Sequence, residues 1–431
     1  MNTLDRRTLV KGIGSASALA AFSPSLVLRE IERSYEASKD AFLELTNSRL
    51  EGEDFWQAVR TAYSASPGII NLNNGGVAPQ PRVVQEAVEY YGRMCNEAPS
   101  YYMWRILDQG REPLREKLAK VAGCSPEEIA IDRNSSEALE TVIFGVRLRP
   151  GDEVVLTKQD YPNMINAWKQ RAHRDGISLK WVDLQVPSDN AEALAAAYFE
   201  KFSPRTRLVH ITHVINWNGQ VMPVQRIAAE AHKRGIEVLV DGAHSFAHLL
   251  FDIPSLGVDY FGTSLHKWMS APFGSGMLYV KKEKIRQLYP LLAAPDPESD
   301  DIRKFENLGT RSFPIEQAIS HAVDFFEHIG AKRKFDRLLE LQRYWSSKVV
   351  DHPAIRLVHP TADGFSGALG NVSVQGKTPE EVSSKLFDLA KIHTVAISWE
   401  NIHGVRITPN VYTTKTELDK LVATLLRIAG E

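Results

Sequence analysis

Between positions 129 and 280 the chain repeats a short apolar run followed by a stretch of helical length, and this repeat restricts the fold more than any other feature. Runs at 129–131, 154–157, 179–184, 208–214, 238–240, 258–261 and 274–280 are rich in β-branched residues and read as strands. A helix beginning near Ala138 and others at 163–175 and 224–234 lie between them, the last with Ile227, Ala228 and Ala231 on one side. Strands separated by helices of this length predict a mainly parallel, doubly wound α/β sheet with right-handed crossovers. Ligands of such sheets bind at the carboxyl ends of the strands. Two charges sit at such ends, Asp241 after the run 238–240 and Lys267 shortly after 258–261. A lysine held in partly apolar surroundings can lose its proton and act as a nucleophile.

The flanking regions predict a modular chain. Asp5-Arg6-Arg7-Thr8-Leu9-Val10-Lys11 precedes 12–28, a stretch without charge and rich in Ala, Ser and Gly. A basic segment before a short, mildly apolar one reads as an export signal, too short and weakly hydrophobic for a stable membrane span. Its paired arginines resemble a twin-arginine signal, with Asp5 and Leu9 departing from the usual pattern. The expectation is therefore export through the twin-arginine machinery to the periplasm or outside. A helical segment is expected over 29–70, and a polar glycine turn, Asn73-Asn74-Gly75-Gly76, follows a short strand at 69–72. Pro79 and Pro81 open a helix to position 91, and another spans 111–122. The Pro- and acid-rich stretch 291–307 reads as loop, before helices at 315–329 and 332–350 and a smaller α+β part ending in a helix at 415–428. The resulting plan has a signal segment at 1–28, helices at 29–70, a large domain at 71–310 and a small α+β domain at 311–431.

Composition removes several function classes. With 51 basic and 53 acidic residues the formal net charge is -2, which gives no electrostatic case for nucleic acid. Cys95 and Cys124 are the two cysteines, too few for a disulfide framework or a cysteine-rich metal site.

The polar residues at strand ends suggest a site. Asn134-Ser135-Ser136-Glu137 stands where a strand meets a helix; it would cap that helix, or offer N–H groups and hydroxyls to a phosphate. Tyr161 follows 154–157 and could stack on a flat heterocycle or cover the core. Asn216 follows 208–214 as a turn residue or a donor. Asp241 could hold a proton on a pyridine nitrogen. Asp241, His244 and His248 could alternatively present one metal-binding face, as in a metallohydrolase. Ser264 and His266 lie beside Lys267, among Phe261, Trp268 and Met269, so Lys267 is not freely solvated.

The ordered set of Ser-Ser-Glu at a helix start, Asp-Gly-Ala-His at a strand end and Ser-Leu-His-Lys before a Gly-rich strand resembles the class V aminotransferases, pyridoxal-phosphate enzymes of fold type I. Within that family it is similar to the isopenicillin N epimerase-like enzymes, relatives of cysteine desulfurases. The resemblance runs from about Asn71 to Arg427 and implies a homodimer with pyridoxal 5'-phosphate as cofactor. It implies that Lys267 forms a Schiff base with the cofactor and later shuttles the Cα proton. Asp241 would pair with the pyridinium nitrogen, while His244 and Asn216 lie near the ring oxygen and Tyr161 stacks on the ring. Ser136, Glu137 through its backbone, Ser264 and His266 would hold the phosphate, with Thr310 reaching it from a second subunit. Arg406 would bind a substrate carboxylate through a bidentate fork, near Asn73 and Asn74. Desulfurases use a cysteine well after the lysine, and none follows Cys124 here. The expected chemistry is thus epimerase-like or transaminase-like, on an amino acid or a peptide-like secreted metabolite. Siderophore tailoring of the pyoverdine type and C–S lysis are the alternatives.

Overall fold

The repeating strands assemble into one seven-stranded sheet in the computed structural model, which describes residues 24–47 and 49–431. After a short β1 (Ile70–Asn71) outside this sheet, its strands in chain order are β2 (Ile129–Asp132), β3 (Glu153–Thr157), β4 (Ser178–Val182), β5 (Thr206–Thr212), β6 (Glu237–Asp241), β7 (Tyr260–Ser264) and β8 (Gly276–Val280). The sheet order is β2-β8-β7-β6-β5-β3-β4, parallel throughout except for β8, which runs antiparallel to both of its neighbours. The mainly parallel sheet expected from the repeat is therefore present. Nearly all boundaries shift by two residues or fewer, because apolar runs mark where side chains are buried rather than where pairing stops.

Helices cover both faces, which explains why the strands read as continuous apolar runs. Those used below are α1 (Pro24–Asn47), α2 (Gly52–Thr61), α3 (Arg82–Glu97), α4 (Arg111–Ala122), α5 (Ser135–Gly145), α6 (Pro162–Asp175), α7 (Ala191–Phe199), α8 (Val224–Lys233), α9 (Phe313–Ile329) and α10 (Ala331–Ser346). Alternate strand residues separate into two cores, as period-two geometry requires. Val154, Leu156, Leu208, Leu239 and Leu278 pack with α5 and α6. Val155, Val209, Val238, Val240 and Met277 pack on the other side, in the core shared by α2, α3, α4, α8 and α9. Helix α7 was not anticipated; its Ala-rich sequence carries little periodic contrast.

The edge strand β2 is sealed by a buried ion pair. Arg115 on α4 reaches Glu306 at 2.5 Å and the Ile129 carbonyl, and Glu306 Oε1 accepts the Ile131 N–H at 2.7 Å. Outward-facing backbone groups of β2 are thereby satisfied. The same contact brings the end of the 291–307 stretch, a 3-10 turn at Ile302–Glu306, into the body of the protein.

The smaller layer contains β9 (Ile355–Leu357), β10 (Gly370–Val374), β11 (Ile392–His393), β12 (Val395–Trp399) and β13 (Ile402–Ile407), with α11 (Pro379–Ala390) and α12 (Lys415–Ala429). Its antiparallel sheet runs β12-β13-β10-β9, and β1 pairs in parallel with β11, so Leu72 sits in this smaller core. Near the amino end, α1 docks through Tyr35, stacked on Tyr90 at 4.8 Å and hydrogen-bonded to His321 at 3.0 Å. The expected export signal lies outside the described residues apart from its last five positions, which begin α1. Among the described residues no helix is long and apolar enough to cross a membrane.

Close approach between β8 and the start of α5 makes Gly276 a testable position. A Cβ there would lie 2.6–2.7 Å from backbone atoms of Asn134. Gly276→Ala should lower the unfolding free energy by roughly 1–3 kcal/mol, the usual cost of overpacking, in a denaturant titration against wild type.

Candidate active site

Three neighbouring parallel strands end on polar residues, and those ends form one wall of a cavity of about 270 Å³. Thr212 closes β5, Asp241 closes β6 and Ser264 closes β7; all three line it. Thr212 and Asp241 are register partners, so the first two lie side by side. Gly76, Val77, Asn134, Ser135, Ser136, Tyr161, Asn216, Ala243, His244, His266 and Lys267 complete the lining.

One end of the cavity is a seat for an anion. Asn134 caps α5, its Oδ1 accepting the Glu137 N–H at 2.9 Å. Ser264 Oγ accepts the Ser135 N–H and donates to Ser135 Oγ, both at 2.9 Å. His266 Nδ1 bonds to the Ser275 carbonyl at 3.0 Å, which fixes the ring and leaves Nε2 unused by that contact. Serine hydroxyls, an imidazole and the Ser136 N–H, the one in the first turn that neither Ser264 nor Asn134 engages, suit a phosphate.

At the other end stand the two charges. Lys267 is only partly buried because it opens onto the cavity. Desolvation nevertheless lowers its amine from the ordinary 10.5 to about 8; Asp241 opposes this shift, and Arg406 adds to it. Its hydrogen-bond partner is His244 Nε2 at 3.1 Å. Burial, with the charges at Lys267, Arg406 and His248, holds His244 well below its usual value, so this imidazole is neutral. Asp241 is pushed up by burial and by the neighbouring Asp160, against the Ala243 N–H it accepts at 2.8 Å. Asp160 itself is raised to about 6 by burial. Asn216 Oδ1 is buried on the cavity wall without a hydrogen-bond partner, a group left for a ligand.

Arg406 lies on β13, outside the cavity lining but joined to it: NH1 donates to the Asn216 carbonyl and NH2 to Asn73 Oδ1, each at 2.9 Å. It is 7% exposed, and these two partners are neutral.

Most residues expected at the site converge here, with three exceptions. Asn74 is fully buried and bonded to the Thr408 and Asn71 carbonyls and to Tyr412, so its amide stabilises the glycine turn instead of facing a substrate. Glu137 does not line the cavity; its N–H is engaged by Asn134 and its carboxylate by Arg133. Thr310 lies on an exposed turn, away from the cavity of its own chain. The metal reading of Asp241, His244 and His248 is corrected. His248 Nδ1 bonds to the His244 carbonyl and Nε2 accepts the Ala368 N–H, both at 2.7 Å, so neither nitrogen is free for a ligand. Among the described residues no three candidate ligands converge on a metal position. Neither cysteine lines the cavity. Asn134 and Ser135 of the helix-start motif line the cavity as well, and Thr212, which the sequence did not single out, is a short polar residue at a strand end, where the fold alone would direct attention.

A family model described as aminotransferase class-V matches residues 69–421. The chain belongs to the class V aminotransferase family. Isopenicillin N epimerase of Streptomyces clavuligerus is 29% identical over 394 residues, 87% of this chain and 99% of that protein. A probable cysteine desulfurase of Halalkalibacterium halodurans is 31% identical over 303 residues, covering 64% of this chain and 73% of the relative. Among solved structures, the apo cysteine desulfurase of Thermococcus onnurineus superposes with a TM-score of 0.77 at 20% identity, over 89% of this chain and 99% of that one. The architecture is that of fold type I pyridoxal-phosphate enzymes, with a mostly parallel sheet and a smaller antiparallel domain.

Class V aminotransferases are pyridoxal-phosphate enzymes, and the cavity fits this cofactor. The serines and His266 suit its phosphate, Asp241 its ring nitrogen, the unpartnered Asn216 amide a polar ring substituent, and Lys267 its aldehyde. The depressed amine gives a pH prediction. A pKa about 2.5 units below an ordinary lysine means a neutral fraction roughly 300-fold larger at neutral pH. Capture of pyridoxal phosphate by the apoprotein, followed by visible absorbance, should rise with a midpoint near pH 8. It should vanish in Lys267→Ala; a midpoint near 10.5 would contradict the buried setting.

Proposed function

We propose that this class V aminotransferase-fold enzyme binds an α-amino acid or a peptide-like metabolite by its carboxylate and moves the proton on Cα, in an epimerase-like reaction. The observation that carries this reading is Arg406, a buried cation hydrogen-bonded to neutral groups one residue's width from the cavity. Burial lowers its pKa to about 10, and a substrate carboxylate would supply the missing negative charge. Pyridoxal phosphate, when bound, supplies an aldehyde carbon for amines and a ring that delocalises charge from Cα. Lys267 Nζ, about half neutral near pH 8, would take the Cα proton on its own face, and inversion requires a proton delivered to the opposite face, from solvent on the open side of the cavity. Asp241 holds the proton on the ring nitrogen, and His244, being neutral, can donate from Nε2 without adding a positive charge beside Lys267. Tyr161, 42% exposed, lines the cavity and would stack on the ring.

The match to isopenicillin N epimerase along nearly its whole length favours epimerisation, as does the absence of a cysteine from the cavity lining. Amino acids incubated in deuterated water should return as both enantiomers, labelled at Cα. Accumulation of a 2-oxo acid would replace this reading with transamination, and sulfide release with C–S lysis. Arg406→Met should lower kcat/KM by roughly 100-fold, the order expected for a lost charge-assisted fork.

Two further proposals concern assembly and destination. A second copy of this chain is a fitting partner for Tyr101, Trp104 and Phe273, each more than half exposed. Their segments meet at the first turns of α9, where Gln317 bonds to the Leu107 carbonyl and Ile315 lies beside Gly274. The exposed turn carrying Thr310 leads into the same helix. The paired Arg6 and Arg7 support export by the twin-arginine route to the periplasm or beyond, which suits modification of a secreted metabolite such as a siderophore. Fractionation should find a wild-type dimer outside the cytoplasm and the Arg6→Lys/Arg7→Lys protein inside. A wild-type monomer or unchanged export would reject the respective proposal.

A further inference from the structure

His244 stands between Lys267 and Trp268, and its two nitrogens have different roles. The indole N–H can only donate, and Trp268 Nε1 donates to His244 Nδ1 at 3.4 Å. A neutral imidazole that accepts at Nδ1 carries its proton on Nε2. The 3.1 Å contact to Lys267 is then an N–H donated from His244 to the amine lone pair, available only while Lys267 is neutral.

Trp268 is itself held. The His248 ring stacks on its indole with centroids 4.0 Å apart and planes 16° from parallel. His248 Nδ1 donates to the His244 carbonyl, and Nε2 accepts the Ala368 N–H, each at 2.7 Å. These partners fix the tautomer of His248 as well. Gly367 allows this approach: a Cβ there would lie 2.4 Å from His248 Nε2. The Trp268 carbonyl accepts from Lys334 Nζ, which anchors the turn after Lys267 from α10.

We propose that Trp268 and His248 are positioning residues for Lys267: they hold His244 as the Nε2–H tautomer facing the amine, and the 367–368 peptide ties that setting to the segment entering β10. The proposal rests on Lys267 being the amine that captures the cofactor. Asp241 and Arg406 also face Lys267, and Arg406 and His248 face His244, while Lys334 and His213 face His248. Asp241 favours the ammonium form, so donation from His244 counters it. Without the Trp268 N–H, His244 can shift its proton to Nδ1. Its Nε2 would then accept from a lysine ammonium, and the charged amine would be favoured.

The test uses full-length apoprotein labelled with 15N-histidine, with His244 assigned by its loss in His244→Gln. Wild type should carry the His244 proton on Nε2, and Trp268→Phe should transfer it wholly or partly to Nδ1. In the same variant the pH midpoint for pyridoxal phosphate capture, read by absorbance and by mass after borohydride reduction, should rise by about one unit, tenfold in the amine equilibrium. His248→Gln should move both readouts in the same direction, and Trp345→Phe, an equal truncation in the smaller core, should move neither. A wild-type Nδ1–H tautomer at His244 overturns the proposal, even if the variants fold poorly. So does an unchanged tautomer and midpoint in folded Trp268→Phe. Because the tautomer is read without cofactor, its failure is distinct from a failure of the cofactor reading.

Discussion

The site depends on an amine removed from bulk water and given a neutral hydrogen-bond partner. A carboxylate in contact with Lys267 would keep it an ammonium, while full solvation would return it to the ordinary range. The fold avoids both by placing Lys267 just past the end of β7, with His244 as its partner and Asp241 acting through space. The other charges are distributed to match. Asp241 is raised by burial and by Asp160, so it is ready to share a proton with a basic ring nitrogen. Arg406 approaches the cavity through the Asn216 carbonyl and has no carboxylate partner among the described residues.

Such a balance needs a rigid frame, and the frame follows from sheet geometry. Parallel strands present their carboxyl ends on one edge, so Thr212, Asp241 and Ser264 converge although they are distant in sequence. The antiparallel β8 adds a separate constraint. It passes between β7 and β2, so that Gly276 abuts Asn134 and fixes the phosphate seat relative to Lys267. The metal alternative fails for a related reason. The residues after Asp241 form hydrogen-bonded turns in place of a regular helix, and His248 turns away from Asp241 to meet Ala368.

The large layer was legible because burial on both faces leaves a distinct mark: unbroken apolar runs ending on polar residues. Asp241, Lys267, Ser264 and Asn216 could be found as the residues closing those runs. What local patterning could not show was which polar groups the protein uses internally. Asn73 and Asn74 are identical neighbours in sequence, yet one holds Arg406 and the other is enclosed by Thr408 and Tyr412. Glu137 likewise fits a phosphate-binding motif until Asn134 is seen to occupy its N–H. Helix α7, with alanines on most faces, carries too weak a periodic signal to be recognised locally. The role of Trp268 is invisible in one dimension, since its N–H meets a histidine 24 positions earlier.

The bond between Asn73 and Arg406 joins positions 333 residues apart. Translation delivers them in that order, so the glycine turn leaves the ribosome long before the strand that completes it. Every cavity-lining residue, from Gly76 to Lys267, is synthesised before β13. The anion seat and the cavity amine are thus encoded ahead of Arg406 and its strand. A nascent chain lacking β13 cannot form the Asn73–Arg406 bond, so the cation beside the cavity is in place only once synthesis is nearly complete.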